Sequence, residues 1–187
     1  MPQPRHLFIV TGPAGCGKST LAEFLAKQFK FHYIEGDNWH PPSNVAKMSA
    51  GIPLNDGDRW DWLTCLRDEA VKNLEAGAKG AILTCSALKY KYRDVIRVAS
   101  YNDHNVRIHF IYLQASEALL LQRVGQRENH YAKADLVKSQ LADLEEPRPT
   151  EHDVLSIDVS GTEEEVRTLA ARLVADVLEK DRLDSLQ

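Results

Sequence analysis

The chain has 187 residues, 43% hydrophobic and 27% charged, which suits one ordinary domain with a buried core and argues against wholesale disorder. A formal charge of -4 excludes a globally basic nucleic-acid binder while leaving room for a local basic pocket. No apolar run approaches the ~20 residues of a membrane span, and only the short stretch Leu7 to Val10 follows the start, which does not read as a secretory signal. Cys16, Cys65 and Cys85 are odd in number and form no C-x-x-C pair, so reduced thiols are expected. The expectation is a cytoplasmic protein with neither nucleic-acid nor membrane partners.

Short apolar runs alternate with segments of helical period. His6–Thr11, Phe31–Ile34, Ala81–Cys85, Val106–Leu113 and Val154–Val159 read as strands, several of them apolar throughout, as strands covered on both faces should be. Between them, Leu21, Phe24, Leu25 and Phe29 mark one helical stripe, and Trp62, Cys65, Leu66, Ala70 and Leu74 mark another. Ser116 is placed to cap the helix carrying Leu119, Leu120 and Val124. Thr162 and Glu165 have capping-box spacing before a last helix with Val166, Leu169, Leu173 and Val177. Strand followed by helix, repeated, predicts an α/β fold: a mostly parallel sheet with helices on both faces. Ligands of such sheets bind beyond the carboxyl ends of the strands, which directs attention to the residues just after each strand.

After the first strand stands Gly12-Pro13-Ala14-Gly15-Cys16-Gly17-Lys18-Ser19, a complete G-x-x-x-x-G-K-[ST] P-loop followed by Thr20. Its glycines let the backbone curl so that N–H groups face phosphate oxygens. Lys18 reaches the outer phosphates, Ser19 can ligate Mg²⁺, and the helix beginning near Lys18 adds its positive end. The motif implies ATP or a similar nucleotide but no particular reaction. A GTPase N-K-x-D is absent, and Asp158-Val-Ser-Gly161 sits on the last strand, where it reads as a turn. The third strand ends Cys85-Ser86, without a Walker-type acid. Small kinases that phosphorylate a metabolite or a nucleotide remain.

The second strand ends Glu35-Gly-Asp37-Asn-Trp-His40, so Asp37 should lie beside the P-loop. A carboxylate there can take a proton from an attacking hydroxyl, hydrogen-bond substrate hydroxyls, hold a magnesium-bound water, or simply cap the next segment. The block Asp37-Asn-Trp-His40-Pro41-Pro-Ser-Asn44-Val-Ala-Lys47-Met48-Ser-Ala-Gly51-Ile-Pro53-Leu54-Asn-Asp56-Gly-Asp58-Arg59 resembles the gluconokinase family of carbohydrate kinases. Cys85-Ser86-Ala87-Leu88-Lys89 with Tyr92-Arg93-Asp94, Arg127 with His130, and Ser139-Gln140 through Leu144-Glu145 to Pro147 resemble it as well. Two positions depart from the family pattern: Asp61 stands where proline commonly precedes the tryptophan, and Tyr131 follows His130 in place of phenylalanine.

The resemblance implies a P-loop fold of the nucleoside monophosphate and shikimate kinase type, with a small lid. It implies transfer of the ATP γ-phosphoryl group to the 6-hydroxyl of D-gluconate with Mg²⁺, and it allows a homodimer. One domain, 1–187, would hold a substrate-binding segment at about 37–63 and a lid at about 124–134. An anionic polyol needs a cation for its carboxylate and placed polar groups for its hydroxyls. Arg59, just before a predicted helix, and Lys89 and Arg93, after the third strand, are suitable cations. The resemblance adds His40, Ser86 and His130 on the substrate side. Arg123 and Arg127 fall on one helical face. The resemblance implies that Arg123 contacts the nucleotide and that Arg127 closes on the γ-phosphate. Backbone around Val159 and Ser160 is expected near the adenine. Catalysis would rest on Lys18, Asp37 and Arg127. Another small-molecule kinase, for shikimate or a nucleoside monophosphate, and a nucleotide-binding module without turnover are the alternatives.

Overall fold

The computed structural model describes residues 4–126 and 130–184, with the backbone alone for 130–133. Five parallel strands, β1 (Arg5–Thr11), β2 (His32–Ile34), β3 (Gly80–Thr84), β4 (Val106–Gln114) and β5 (Val154–Asp158), lie in the order β2-β3-β1-β4-β5. All five expected strands are present, with ends moved by a residue. The helices are α1 (Lys18–Phe29), α2 (Pro42–Ser49), α3 (Asp56–Glu75), α4 (Tyr90–Asn102), α5 (Glu117–Gly125), α6 (His130–Asp143) and α7 (Glu163–Asp184). No helix among the described residues is long and apolar enough to cross a membrane.

Strand alternation divides the core in two. Leu7, Ile9, Leu83 and Phe110 face α3 and α4, where they meet Trp62, Leu66, Tyr92 and Ile96. Phe8, Val10, Ile82 and Ile111 face α1, α5, α6 and α7, against Leu25, Leu120, Val137 and Val174. The helix caps are where the sequence puts them: Ser116 Oγ accepts from Leu119 N–H, and Thr162 exchanges hydrogen bonds with Glu165. Two expectations need correction. Cys65 is exposed and Leu63 takes its place in the stripe, because Trp62, Leu63, Leu66, Ala70 and Leu74 share a helical face from which Cys65 is rotated by more than a quarter turn. Arg59 lies inside α3, not before it, because Asn55 and Asp58 form a capping box that starts the helix earlier.

Behind α4, Arg93 and Arg97 converge on Glu151, at 2.7–2.9 Å. Burial alone would raise the Glu151 carboxyl, but hydrogen bonds from Arg93, Arg97 and Arg148 N–H outweigh it and hold the pKa at about 2, against an ordinary 4.5. The folded state thus favours the ionised form. This contribution is present above about pH 4.5 and is lost as pH falls toward 2. Urea midpoints measured across that window are expected to drop, and Glu151→Gln should flatten the dependence while lowering the midpoint at neutral pH.

Candidate active site

The P-loop joins β1 to α1 at the carboxyl edge of the sheet. Gly12, Gly15 and Gly17 have φ of 143°, 85° and 98°, a region L side chains avoid. A Cβ on Gly12 would also come within 3.0 Å of Leu113 O. The loop is tied to α6 by Gln140, whose Oε1 accepts from Ala14 N–H at 2.7 Å. Lys18 Nζ donates to Gly12 O and Pro13 O, at 3.0 and 3.1 Å, so its charge lies over the loop against neutral carbonyls. Beside the loop, a cavity of about 410 Å³ opens between Gly15, Thr20, Arg123, Val159 and the first turns of α7. Arg123 bridges its walls, donating to Cys16 O and to Val159 O.

The chain after β2 turns tightly at Gly36, and a Cβ there would lie 2.0 Å from Thr84 O. Gly36 N–H donates to Thr84 Oγ1 and Gly36 O accepts from the Trp62 indole, so this turn is clamped between β3 and α3. Glu35 and Asp37 therefore project from fixed backbone in different directions. Glu35 turns inward and accepts from Thr84 Oγ1 and Tyr33 OH, both at 2.5 Å. Burial works to raise its carboxyl, yet hydrogen bonds from Thr84, Tyr33, the P-loop hydroxyl of Ser19 and Asp37 N–H hold it below its ordinary value. Asp37 turns outward, with a side chain 81% exposed and 3.9 Å from His40 Nε2. His40 is stacked on Trp62 at 4.1 Å and bonded to Asn44, and burial lowers its pKa, which favours the neutral ring.

Across from the P-loop, Arg59 is buried over the ring of Tyr92, 5.6 Å from its centroid. Its Nε has no hydrogen-bond partner, and no carboxylate pairs with it among the described residues. Buried Cys85 lies amid these charges: burial pushes its thiol up to about 12, with Arg59 and Lys18 pulling down and Asp37 pushing up. Two cations, the ammonium of the phosphate loop and a guanidinium without a counter-ion among the described residues, thus share one crevice with an exposed carboxylate.

Comparison with known proteins gives this crevice a family. Residues 7–147 match a family described as an AAA domain. A probable gluconokinase of Schizosaccharomyces pombe is 48% identical over 162 residues, covering 86% of this chain and 83% of the relative. A gluconokinase of Gluconobacter oxydans is 44% identical over 145 residues, covering 78% of each. The crystal structure of a gluconokinase from Sinorhizobium meliloti superposes with a TM-score of 0.84 at 34% identity, covering 98% of this chain and 99% of that one. The chain belongs to the gluconokinase family. It is accordingly an ATP-dependent kinase on the P-loop α/β fold.

Not every expected residue of this gluconokinase-family chain reaches the crevice. Lys18, Ser19, Asp37, His40 and Arg59 converge there, and Ser86 stands half-buried just past β3 beside Ala87, whose N–H donates to the Thr11 hydroxyl. Arg123 and Val159 line the cavity beside the P-loop. Arg93, expected as a substrate cation, is committed elsewhere: its five N–H donors go to both Glu151 oxygens and to the carbonyls of Ala87, Leu88 and Glu145. Lys89 is neutralised by Asp56 and Asp143, each at 3.1 Å. Arg127 and the side chain of His130 lie outside the described residues. Sequence reasoning passed over Glu35, although it stands in the same strand-end motif as Asp37. Glu35 stands one residue beyond β2, and Thr84 of β3 donates a hydrogen bond to it.

Proposed function

We propose that the protein phosphorylates D-gluconate at its 6-hydroxyl with ATP, giving 6-phospho-D-gluconate and ADP. The observation that carries the acceptor assignment is Arg59. A buried guanidinium with an unpartnered Nε is costly unless an anion completes it, and a planar carboxylate matches its fork. Arg59→Met is expected to raise KM for gluconate by about 10–100-fold with a smaller effect on KM for ATP.

In this reading, Lys18 and the P-loop N–H groups hold the β- and γ-phosphates, while Arg123 and the cavity beside it take the nucleoside. The Ser19 hydroxyl and the Glu35 carboxylate, already within one hydrogen-bonded cluster, suit Mg²⁺, which prefers hard oxygen ligands. An ion held by these two oxygens would supply charge neutralisation to the phosphates. The gluconate carboxylate pairs with Arg59, and its hydroxyls meet His40 and the backbone at Ser86. The O6–P bond forms as the bond from γ-phosphorus to the bridging oxygen of ADP breaks, and Asp37 receives the O6 proton. The segment 37–63 binds substrate. The lid, 124–134, brings Arg127 over the phosphates and His130 toward the acceptor, and excludes water. The reading extends to a cytoplasmic enzyme that forms a homodimer.

Asp37→Asn is expected to lower kcat by about 10²-fold or more, and a near-normal kcat would leave Asp37 only a binding role. The overall reading is tested by ADP release in the presence of gluconate, shikimate and nucleoside monophosphates. Gluconate should dominate. A preference for either other acceptor, or ATP binding without acceptor-stimulated turnover, would overturn it.

A further inference from the structure

At the amino end of the sheet, away from the P-loop, a second group of polar side chains has no part in phosphoryl transfer. His6 of β1 and His109 of β4 stand on the face covered by α7, where Asp181 approaches from the last turns of that helix. Glu163, at the other end of α7, lines the nucleotide cavity, so the two places are about 27 Å apart along the helix. We propose that His6 Nδ1, His109 Nε2 and Asp181 Oδ2 form a binding site for a zinc-class divalent metal ion that pins the end of α7 to β1 and β4.

The three ligand atoms lie within 4.8 Å of one another. His6 Nδ1 is 3.4 Å from His109 Nε2 and 3.7 Å from Asp181 Oδ2. Zn–N and Zn–O bonds of about 2.0–2.1 Å at tetrahedral angles put neighbouring ligand atoms about 3.3 Å apart. The two edges at His6 are close to that, and the third, within 4.8 Å, closes by a small movement of the Asp181 carboxylate. Two imidazoles and one carboxylate form a donor set that zinc accepts and that magnesium disfavours.

Without an ion the polar accounting does not close. One proton between the facing His6 and His109 nitrogens, whichever ring carries it, satisfies that pair and leaves nothing for Asp181. The Asp181 distance is too long for a hydrogen bond. Asp181 Oδ2 is buried and has no hydrogen-bond partner. A cation takes a lone pair from each of the three atoms. The rings are held in place by stacking on Phe8, at 6.0 and 4.9 Å. Burial lowers the pKa of both imidazoles, that of His109 to about 4, which favours the neutral form a metal requires. Asp153 and Asp181 act on His109 with negative charge against the exposed Arg107. His109 and Asp181 are only partly buried, which gives an ion a way in and leaves solvent as a fourth ligand.

The test uses metal-free protein carrying Cys65→Ser, which removes the exposed thiol, and titrates it with Co²⁺ as a spectroscopic probe and with Zn²⁺. One equivalent of Co²⁺ should bind with the intense visible absorption of four-coordinate cobalt, and Zn²⁺ should displace it. Zn²⁺ at a hundredfold its Kd should raise the thermal midpoint by about 5–10 °C. His109→Gln and Asp181→Asn should each abolish the absorption and the thermal shift while leaving Mg²⁺-supported gluconate turnover within twofold. No stoichiometric binding, or binding and stabilisation unchanged in both variants, would overturn the proposal.

Discussion

Lys18→Ala is expected to reduce kcat to near background, a loss on the order of 10⁴-fold, with a thermal midpoint within a few degrees of the parent. Among the described residues Lys18 Nζ hydrogen-bonds to the carbonyls of Gly12 and Pro13 alone, so its removal costs the fold little. Phosphoryl transfer asks the protein mainly to place charge against the phosphate oxygens, and the ammonium is the concentrated positive charge in this loop. Lys18→Arg should not restore the rate, because a longer planar fork does not put a point charge at the same place. Steady-state kinetics beside a melting curve separates the two effects, and activity within tenfold of the parent would refute the role.

Arg93→Ala is expected to act in the opposite sense, on the fold more than on the chemistry. Its guanidinium is 2% exposed and satisfies Glu151 together with three carbonyls of the segments after β3 and α6. Removing one partner of a buried pair costs about 3–5 kcal/mol. For a chain of this size that lowers the thermal midpoint by roughly 6–20 °C. Arg93→Lys keeps the charge but loses the fork, and should fall between the two. If Arg93 instead held the substrate carboxylate, the variant would melt normally and show a raised KM for gluconate alone.

The contrast among Arg59, Lys89 and Arg93 shows what could be read early. All three are cations in segments that resemble a carbohydrate kinase, and nothing local distinguishes them. Their fates depend on carboxylates remote along the chain: Glu151 lies 58 residues from Arg93, and Asp56 lies 33 from Lys89. Arg59 has no such partner among the described residues, which frees it for a ligand. Glu35 was hidden for a related reason. Its neighbours Thr84 and Ser19 come from β3 and the start of α1, so its place among them shows only once the sheet is assembled.

By itself, the sequence determined the alternation of strand and helix, the capped starts at Ser116 and Thr162, and the phosphate-gripping loop at Gly12–Ser19. Each of these depends on dihedral preferences and hydrogen bonds among residues a few positions apart. The block from Asp37 to Arg59 carried the family, and with it the acceptor. Only the tertiary structure decided which charges are spent on one another and which remain for a ligand, and it alone brought His6, His109 and Asp181 together. Charge pairing depends on separation in space, and chain distance says little about that until the sheet is assembled.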